Sequence, residues 1–325
     1  MMRTLLRNHI GRAVLSLVLV MIVGVLFNAE GTFFRWDTHR DMLRQVSVYG
    51  ILAAASTIVI VTGGIDLSVG SLLGLSAVLF SLFSIHWGWG PVQSIAATLL
   101  IGVVCGMISG GVIGRFKIQP FIATLAMMVF ARGVAKLVSG GQKISSAVQT
   151  ADGSYSYVSV PEIFDSIGTR IWNDNIAVVT LLMIAVLFAA WIFLSQTVAG
   201  RELYAIGGNE EAAKYSGVSI PKNILLAYSI SGLFCAVAGI AQAAQEMQGD
   251  PEAGASYELS AIAMVVIGGT SLRGGIGGIH LTILGILIIG YLEKILSINA
   301  VGEETRLMLT GIIILAAVVF QKKGH

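Results

Sequence analysis

Long apolar runs separated by short polar breaks recur from one end of the chain to the other. Most approach the roughly 17–25 residues needed to cross a bilayer as a helix. The pattern predicts about ten membrane helices, near 13–29, 45–62, 70–86, 92–113, 119–138, 175–195, 223–244, 258–270, 277–294 and 306–320. The eighth is the shortest. Composition agrees: the 325 residues are 55% hydrophobic and 12% charged, about half the charged share of a soluble domain. The expected fold is an all-α polytopic membrane protein, one transmembrane domain over residues 1–325. Arg3, Arg7 and Arg12 precede the first run, a leader that also suits a signal peptide. No A-x-A-like site follows and many further spans do, so the run is read as a membrane helix.

Flanking Lys and Arg orient such spans. With ten spans, Arg3, Arg7, Arg12, Arg115, Lys117, Arg201, Lys214, Lys222, Lys322 and Lys323 share one face. That face should be cytoplasmic, with both termini inside. Arg35, Arg40 and Arg44 fall opposite, so the bias is modest. Two segments on the outer, periplasmic side are long enough to fold. One is 139–175, rich in Ser, Gly, Tyr and Asp. The other, 245–258, carries Glu246, Asp250, Glu252 and Glu258 without a basic residue and reads as solvated loop. Cys105 and Cys235 lie far apart in apolar runs, and His9, His39, His86, His280 and His325 are scattered. Neither a disulfide framework nor a metal site is expected. A net charge of +2 without a long basic run argues against a nucleic-acid partner.

The most informative break reads Gly63-Gly64-Ile65-Asp66-Leu67-Ser68-Val69-Gly70-Ser71. Broken backbone is stable only inside protein, beside a water-filled path or at the membrane surface, and an acid there is a functional candidate. Two readings stand. In one, Gly63, Gly64, Asp66, Ser68, Gly70 and Ser71 form a gate or hinge on a solute path. In the other, the segment is a short turn and Asp66 is a helix N-cap. An echo occurs at Gly268-Gly269-Thr270-Ser271-Leu272-Arg273-Gly274-Gly275, which repeats the Gly-Gly and Leu-x-x-Gly positions. Matching interrupted segments can mark a transporter's central path; with 39 glycines in the chain, coincidence is the competing account. Gly102, Gly106, Gly110 and Gly114 recur at four-residue spacing and predict a groove of bare backbone for helix packing. Gln119 and Thr124 open the next span as further pathway candidates. Arg132 reads as a residue of the outer interface, snorkelling or paired. Gln242 and Gln245, near the outer end of the seventh span, either line a polar path or pack and cap.

The inner loop at 196–223 carries a second strong signal, Gly207-Gly208-Asn209-Glu210-Glu211-Ala212-Ala213-Lys214-Tyr215-Ser216-Gly217. Asn209 suits a helix N-cap, Glu210 and Glu211 oppose the positive helix end, and Gly217 suits a left-handed C-terminal position. So short a helix is marginal alone in water, which points to docking on another body.

These strings resemble those of the permease subunits of ABC importers for monosaccharides of the ribose, xylose and galactose type. Four stretches carry the resemblance: 63–71, Gln119-Pro120-Phe121-Ile122-Ala123-Thr124-Leu125 through Arg132-Gly133, 200–217, and Val265-Val266-Ile267-Gly268-Gly269-Thr270-Ser271-Leu272. They cover most of the chain. Arg273 departs from the pattern, where a small or polar residue is expected. The resemblance implies a bacterial inner-membrane assembly of two permease copies, identical or related, two ATPase subunits, a periplasmic sugar-binding protein and surrounding lipid. It implies that Gly207, Gly208, Asn209, Glu210, Glu211, Ala212, Ala213 and Gly217 form the coupling helix that meets the ATPase. No cofactor is expected in this chain, ATP being bound by its partner, since the Gly-x-x-x-x-Gly-Lys-[Ser/Thr] phosphate cradle is missing. Ser139-Gly140-Gly141-Gln142 resembles part of the ATPase signature, but Val138 precedes it and it ends an apolar run on the outer face. No catalytic arrangement is expected. Two alternatives remain: an ABC permease for another solute, such as a branched-chain amino acid or a sugar-like signal, and an ion-coupled secondary transporter. The latter commonly uses intramembrane acids, and here Asp66 and the interfacial Glu293 come nearest.

Overall fold

Apolar runs fold as helices because a helix pairs its own backbone groups where lipid offers no partner. The computed structural model describes residues 9–149, 154–302, 304–306, 308–309 and 311–312. Its helices are α1 (His9–Leu26), α2 (Trp36–Val61), α3 (Val69–Ser81, extended by a π turn to His86), α4 (Pro91–Phe116), α5 (Pro120–Ser139), α6 (Glu162–Gly168), α7 (Val178–Gln196), α8 (Val198–Gly208), α9 (Glu210–Tyr215), α10 (Ile220–Glu246), α11 (Tyr257–Gly268) and α12 (Ile279–Ile298). Seven of these, α2, α3 with its extension, α4, α5, α7, α10 and α12, are long and apolar enough to cross a membrane. The expected spans at 13–29 and 258–270 are the shorter apolar helices α1 and α11. Most of the expected span at 306–320 lies outside the described residues, as do Arg3, Arg7, Lys322 and Lys323.

α2 and α3 are almost wholly buried, while α4 and α5 present apolar side chains such as Leu100, Val104, Phe121, Val129 and Phe130 outward. Residues 139–177 carry two short hairpins, β1 (Ala147–Gln149) with β2 (Tyr155–Tyr157) and β3 (Arg170–Ile171) with β4 (Ile176–Ala177), together with α6. Phe164 of α6 is fully buried and stacks on Phe80 of α3 at 4.9 Å, which holds this cap on the bundle. The Ser139-Gly140-Gly141-Gln142 string is the C-terminal turn of α5. Gly140 and Gly141 are left-handed (φ +63° and +74°), and the Gly141 N–H donates to the Lys136 carbonyl at 2.8 Å.

All four spaced glycines of α4 face α10. Gly102 lies against Gly232, Gly106 against the Tyr228 carbonyl, Gly110 against Leu225 and Gly114 against Pro221. A Cβ at Gly106 would collide with backbone, so the two helices meet main chain to main chain.

Residues 247–256 are not the solvated loop that their acidity suggests. Gly249 packs on Ala77 and Ser81 of α3, and Gly254 packs on Gly70. The segment therefore runs down most of α3 before α11 begins, which is why α11 needs only 12 residues. Irregular backbone inside a bundle must find partners. Gly249 exchanges two 2.8 Å hydrogen bonds with Ile144. Arg132 of α5 donates to the carbonyls of Pro251 and Ala253, the latter at 2.8 Å. Lys136 pairs with Glu252 at 2.6 Å and Lys143 with Asp250 at 3.0 Å, and that carboxylate holds the Lys143 ammonium pKa up. The basic partners that the segment lacks come from α5 and the turn after it.

Candidate translocation site

α2 stops at Val61 because Gly63 turns the chain with φ +83°, a conformation that side chains resist. Asp66 follows, 3% exposed. Its Oδ1 accepts from the Ser68 N–H (2.9 Å) and hydroxyl (2.6 Å), and its Oδ2 accepts from the Ser231 hydroxyl of α10 (2.8 Å). The N-cap reading of Asp66 is thus corrected. Ser68 holds the cap position of α3, while Asp66 closes a local turn and ties the break to the middle of α10. On the opposite side the Thr124 hydroxyl accepts from the Leu67 N–H at 3.2 Å and lies 3.2 Å from the Ile65 carbonyl, which joins the break to α5. Ser71 is buried, and Gly70 sits under the Gly254 carbonyl and a Glu258 oxygen. Beside Gly64 the buried Tyr228 hydroxyl has no hydrogen-bond partner.

The second glycine break, between α11 and α12, lies directly on the first. The Gly275 N–H donates to the Val61 carbonyl at 2.9 Å, and Gly63 faces the Arg273 carbonyl. The Arg273 side chain is exposed, so the residue that departs from the expected pattern contributes backbone to the contact and points its charge outward. Gly207, near the end of α8, fits into the same junction. A Cβ there would collide with the Val61 carbonyl and stand 2.5 Å from the Gly275 nitrogen. Tyr204 of α8 donates to the Gly277 carbonyl at 3.0 Å, and Glu202 accepts from Asn223 of α10 at 2.7 Å. The loop at 196–223 therefore holds two helices where the sequence suggested one. Asn209 caps α9 by accepting from the Ala212 N–H at 2.9 Å, and Gly217 is left-handed (φ +86°). Ala213 is buried, whereas Gly208, Asn209, Glu210, Glu211, Ala212 and Gly217 are exposed.

A cavity of about 740 Å³ opens beside the junction. Thr62, Gly63 and Gly64 of the first break, Gln119 ahead of α5, and Glu210 and Lys214 of α9 line it, with isoleucine, valine and proline between them. Residues 40–318 match the family described as branched-chain amino acid transport system / permease component. The chain belongs to that family. The ribose import permease protein of Escherichia coli (strain K12) is 35% identical over 308 residues, 94% of this chain and 92% of the relative. That of Bacillus subtilis (strain 168) is 40% identical over 306 residues, 94% and 90% of the two chains. The fructose import permease protein of Rhizobium meliloti is 33% identical over 319 residues, 97% and 86%. No solved structure matches.

Within this permease-family chain, a multi-pass membrane protein, the structure gathers some sequence-flagged residues and separates others. Gly63, Gly64 and Gln119 share the cavity with Glu210. Asp66, Ser68, Gly70, Ser71 and Thr124 form the buried anchorage of the break. Gly102, Gly106, Gly110 and Gly114 seat α10, the helix that holds Asp66. Gln242 and Gln245 line a second cavity, about 400 Å³, at the hairpin end of α10. Its other walls are Asp41, Arg44 and Gln45 of α2, Glu246 of α10, and Arg170 of β3. Sequence reasoning missed Asp41 and Arg170 as partners because they are far apart along the chain and meet only through the hairpin.

Proposed function

We propose that this chain is the non-catalytic membrane subunit of an ATP-driven importer for a neutral monosaccharide in the bacterial inner membrane. The observation that carries the reading is the junction of Val61–Gly63, the backbone of Gly274 and Gly275, and Gly207, where a helix outside the long spans touches both breaks through backbone. A push on α8 and α9 is delivered there to the wall of the inner cavity. In this reading the exposed surface of α9, with Glu210 and Glu211, meets the ATPase on the cytoplasmic side, and both chain termini face the same side. The hairpins face the periplasm and receive the sugar-binding protein, and a second permease copy completes the path among the membrane lipids. This chain binds no nucleotide. Relatives named as ribose and fructose import permeases match it along nearly its whole length and support a sugar as the solute.

The family description favours a second reading, a branched-chain amino acid. Such a solute carries both a carboxylate and an ammonium, and an interior path would hold them best with buried charges of both signs. Asp66 is the only buried charged side chain among the described residues, and its oxygens are already engaged by serines. A neutral solute asks less of this interior. Ion coupling through Asp66 meets the same objection.

The test is purification of the tagged chain from its native membrane with its partners, followed by reconstitution. A stoichiometric ATPase and ATP-dependent uptake of a monosaccharide are expected. A chain that transports alone without ATP, or an assembly that takes up leucine and no sugar, would overturn the reading.

A further inference from the structure

The polar cavity between the first turns of α2 and the last turns of α10 stands apart from the junction and from the inner cavity. At about 400 Å³ it lies within the size range of small-molecule sites. Every residue lining it is polar or charged, in contrast to the mixed walls of the 740 Å³ cavity, where isoleucine, valine and proline alternate with polar groups. Its charges are of both signs, and one pair of them meets within it. Arg170 donates to Asp41 at 2.6 Å, and the Gln242 amide donates to Glu246 at 2.5 Å. The Arg44 Nε and the Gln245 Nε2 are buried without partners.

Arg170 and Asp41 engage one charge of each sign, and the remaining two, Arg44 and Glu246, sum to zero, so the cavity has no net charge. What it offers is a closely spaced set of fixed donors and acceptors. A solute bearing a hydroxyl on most of its carbons matches that set, because each hydroxyl both donates and accepts. We propose that this cavity is the permease's own receiving site for a monosaccharide, with Gln245, Glu246 and Arg44 as the residues that take its hydroxyls. The inference rests on the importer reading for its direction, from the hairpin side inward, and adds a solute site on the membrane chain itself.

The full chain in lipid nanodiscs, without binding protein or ATPase, is titrated with radiolabelled D-ribose and D-fructose, with L-leucine as a zwitterionic control. The expected result is saturable binding of at least one sugar. It should be about tenfold weaker in Gln245→Leu and in Glu246→Gln and unchanged in Ser166→Ala, an exposed position on α6. The Glu246 side chain is itself exposed, so that variant tests the site even where Gln245→Leu fails to fold. Unchanged sugar affinity in Glu246→Gln, saturable binding of leucine in place of sugar, or no saturable sugar binding by the unmodified chain overturns the proposal. ATP-driven uptake by the assembled system is measured in parallel. Sugar uptake that persists without sugar binding to the chain removes the receiving site alone, whereas absent uptake of every sugar removes the importer reading.

Discussion

Gly207 and Gly208 are adjacent in sequence and should behave as opposites when replaced by alanine. A Cβ on Gly207 would collide with the Val61 carbonyl and stand 2.5 Å from the Gly275 nitrogen and 3.1 Å from the Gly274 carbonyl carbon. All three are backbone atoms, so no side chain can swing away. Overpacking of this kind costs about 1–3 kcal/mol. Relief by moving α8 outward stretches the Gly275–Val61 hydrogen bond of 2.9 Å, at a further net cost of about 0.5–1.5 kcal/mol. The sum, about 1.5–4.5 kcal/mol, shifts the balance between seated and displaced α8 by about tenfold or more. A Cβ on Gly208 meets nothing within 4 Å, and alanine there removes the glycine entropy penalty of about 0.5–1 kcal/mol. The assay is thermal unfolding of the purified chain together with ATP-driven uptake after reconstitution. Gly207→Ala should lower both, and Gly208→Ala should leave uptake intact with equal or higher thermal stability. Equal behaviour of the two variants would refute the junction as the point where α8 bears on the breaks.

Three further perturbations separate the elements of the site. Asp66→Asn should fold and transport, since its amide can donate to Ser231 while its oxygen still accepts from Ser68; Asp66→Ala leaves both partners unmet, at about 1–3 kcal/mol each. A well-folded Asp66→Asn chain without uptake would show that the charge itself is used. Arg132→Ala strips the carbonyls of Pro251 and Ala253 of their donor, so amide hydrogen exchange over 247–258 should accelerate, with Arg132→Lys intermediate because an ammonium lacks the guanidinium fork; exchange that does not change refutes the clamp. Gly217→Ala meets open space but keeps φ +86°, a strain of about 1–2 kcal/mol confined to the end of α9. ATPase stimulation should fall without loss of membrane insertion, and unchanged stimulation argues against coupling through α9.

What the sequence revealed follows the range of each interaction. Apolar runs of bilayer length are a local property and so were legible, as was the cap of α9, where Asn209 stands directly before Glu210 and Glu211. The brevity of α11 was visible but its cause was not: the preceding segment descends beside α3 on donors from Arg132 and Ile144, both remote in sequence. Asp66 was singled out by its type and position. Its partner Ser231 carries no pattern that marks it, being one of two serines, with Ser229, on an apolar helix. The glycines show the same division. The four-residue spacing on α4 announces a bare stripe, but nothing local names α10 as its occupant or tells Gly207, packed on two segments, from Gly208, where a Cβ would face open space.

The composition of the junction also bears on how far a movement would carry. Side chains in contact can absorb small shifts by changing rotamer, since several staggered states lie close in energy. Glycine backbones in contact have no such slack, so segments joined through them shift as bodies. Here the joined parts are the end of α2, the end of α8 and the link into α12. Gly63, with its positive φ, gives the chain a pivot immediately beyond that contact, and Thr62, Gly63 and Gly64 line the 740 Å³ cavity. On the far side of the pivot, Asp66 holds α10 and Gly70 holds Gly254, so α3 stays anchored while the end of α2 moves. Displacing α8 and α9 therefore changes the cavity wall at Thr62–Gly64 before it disturbs the buried half of the break. That order of response distinguishes a hinge from a general loosening of the bundle, because cross-links placed across the cavity should respond to ATP while links between Ser68 and Ser231 should not.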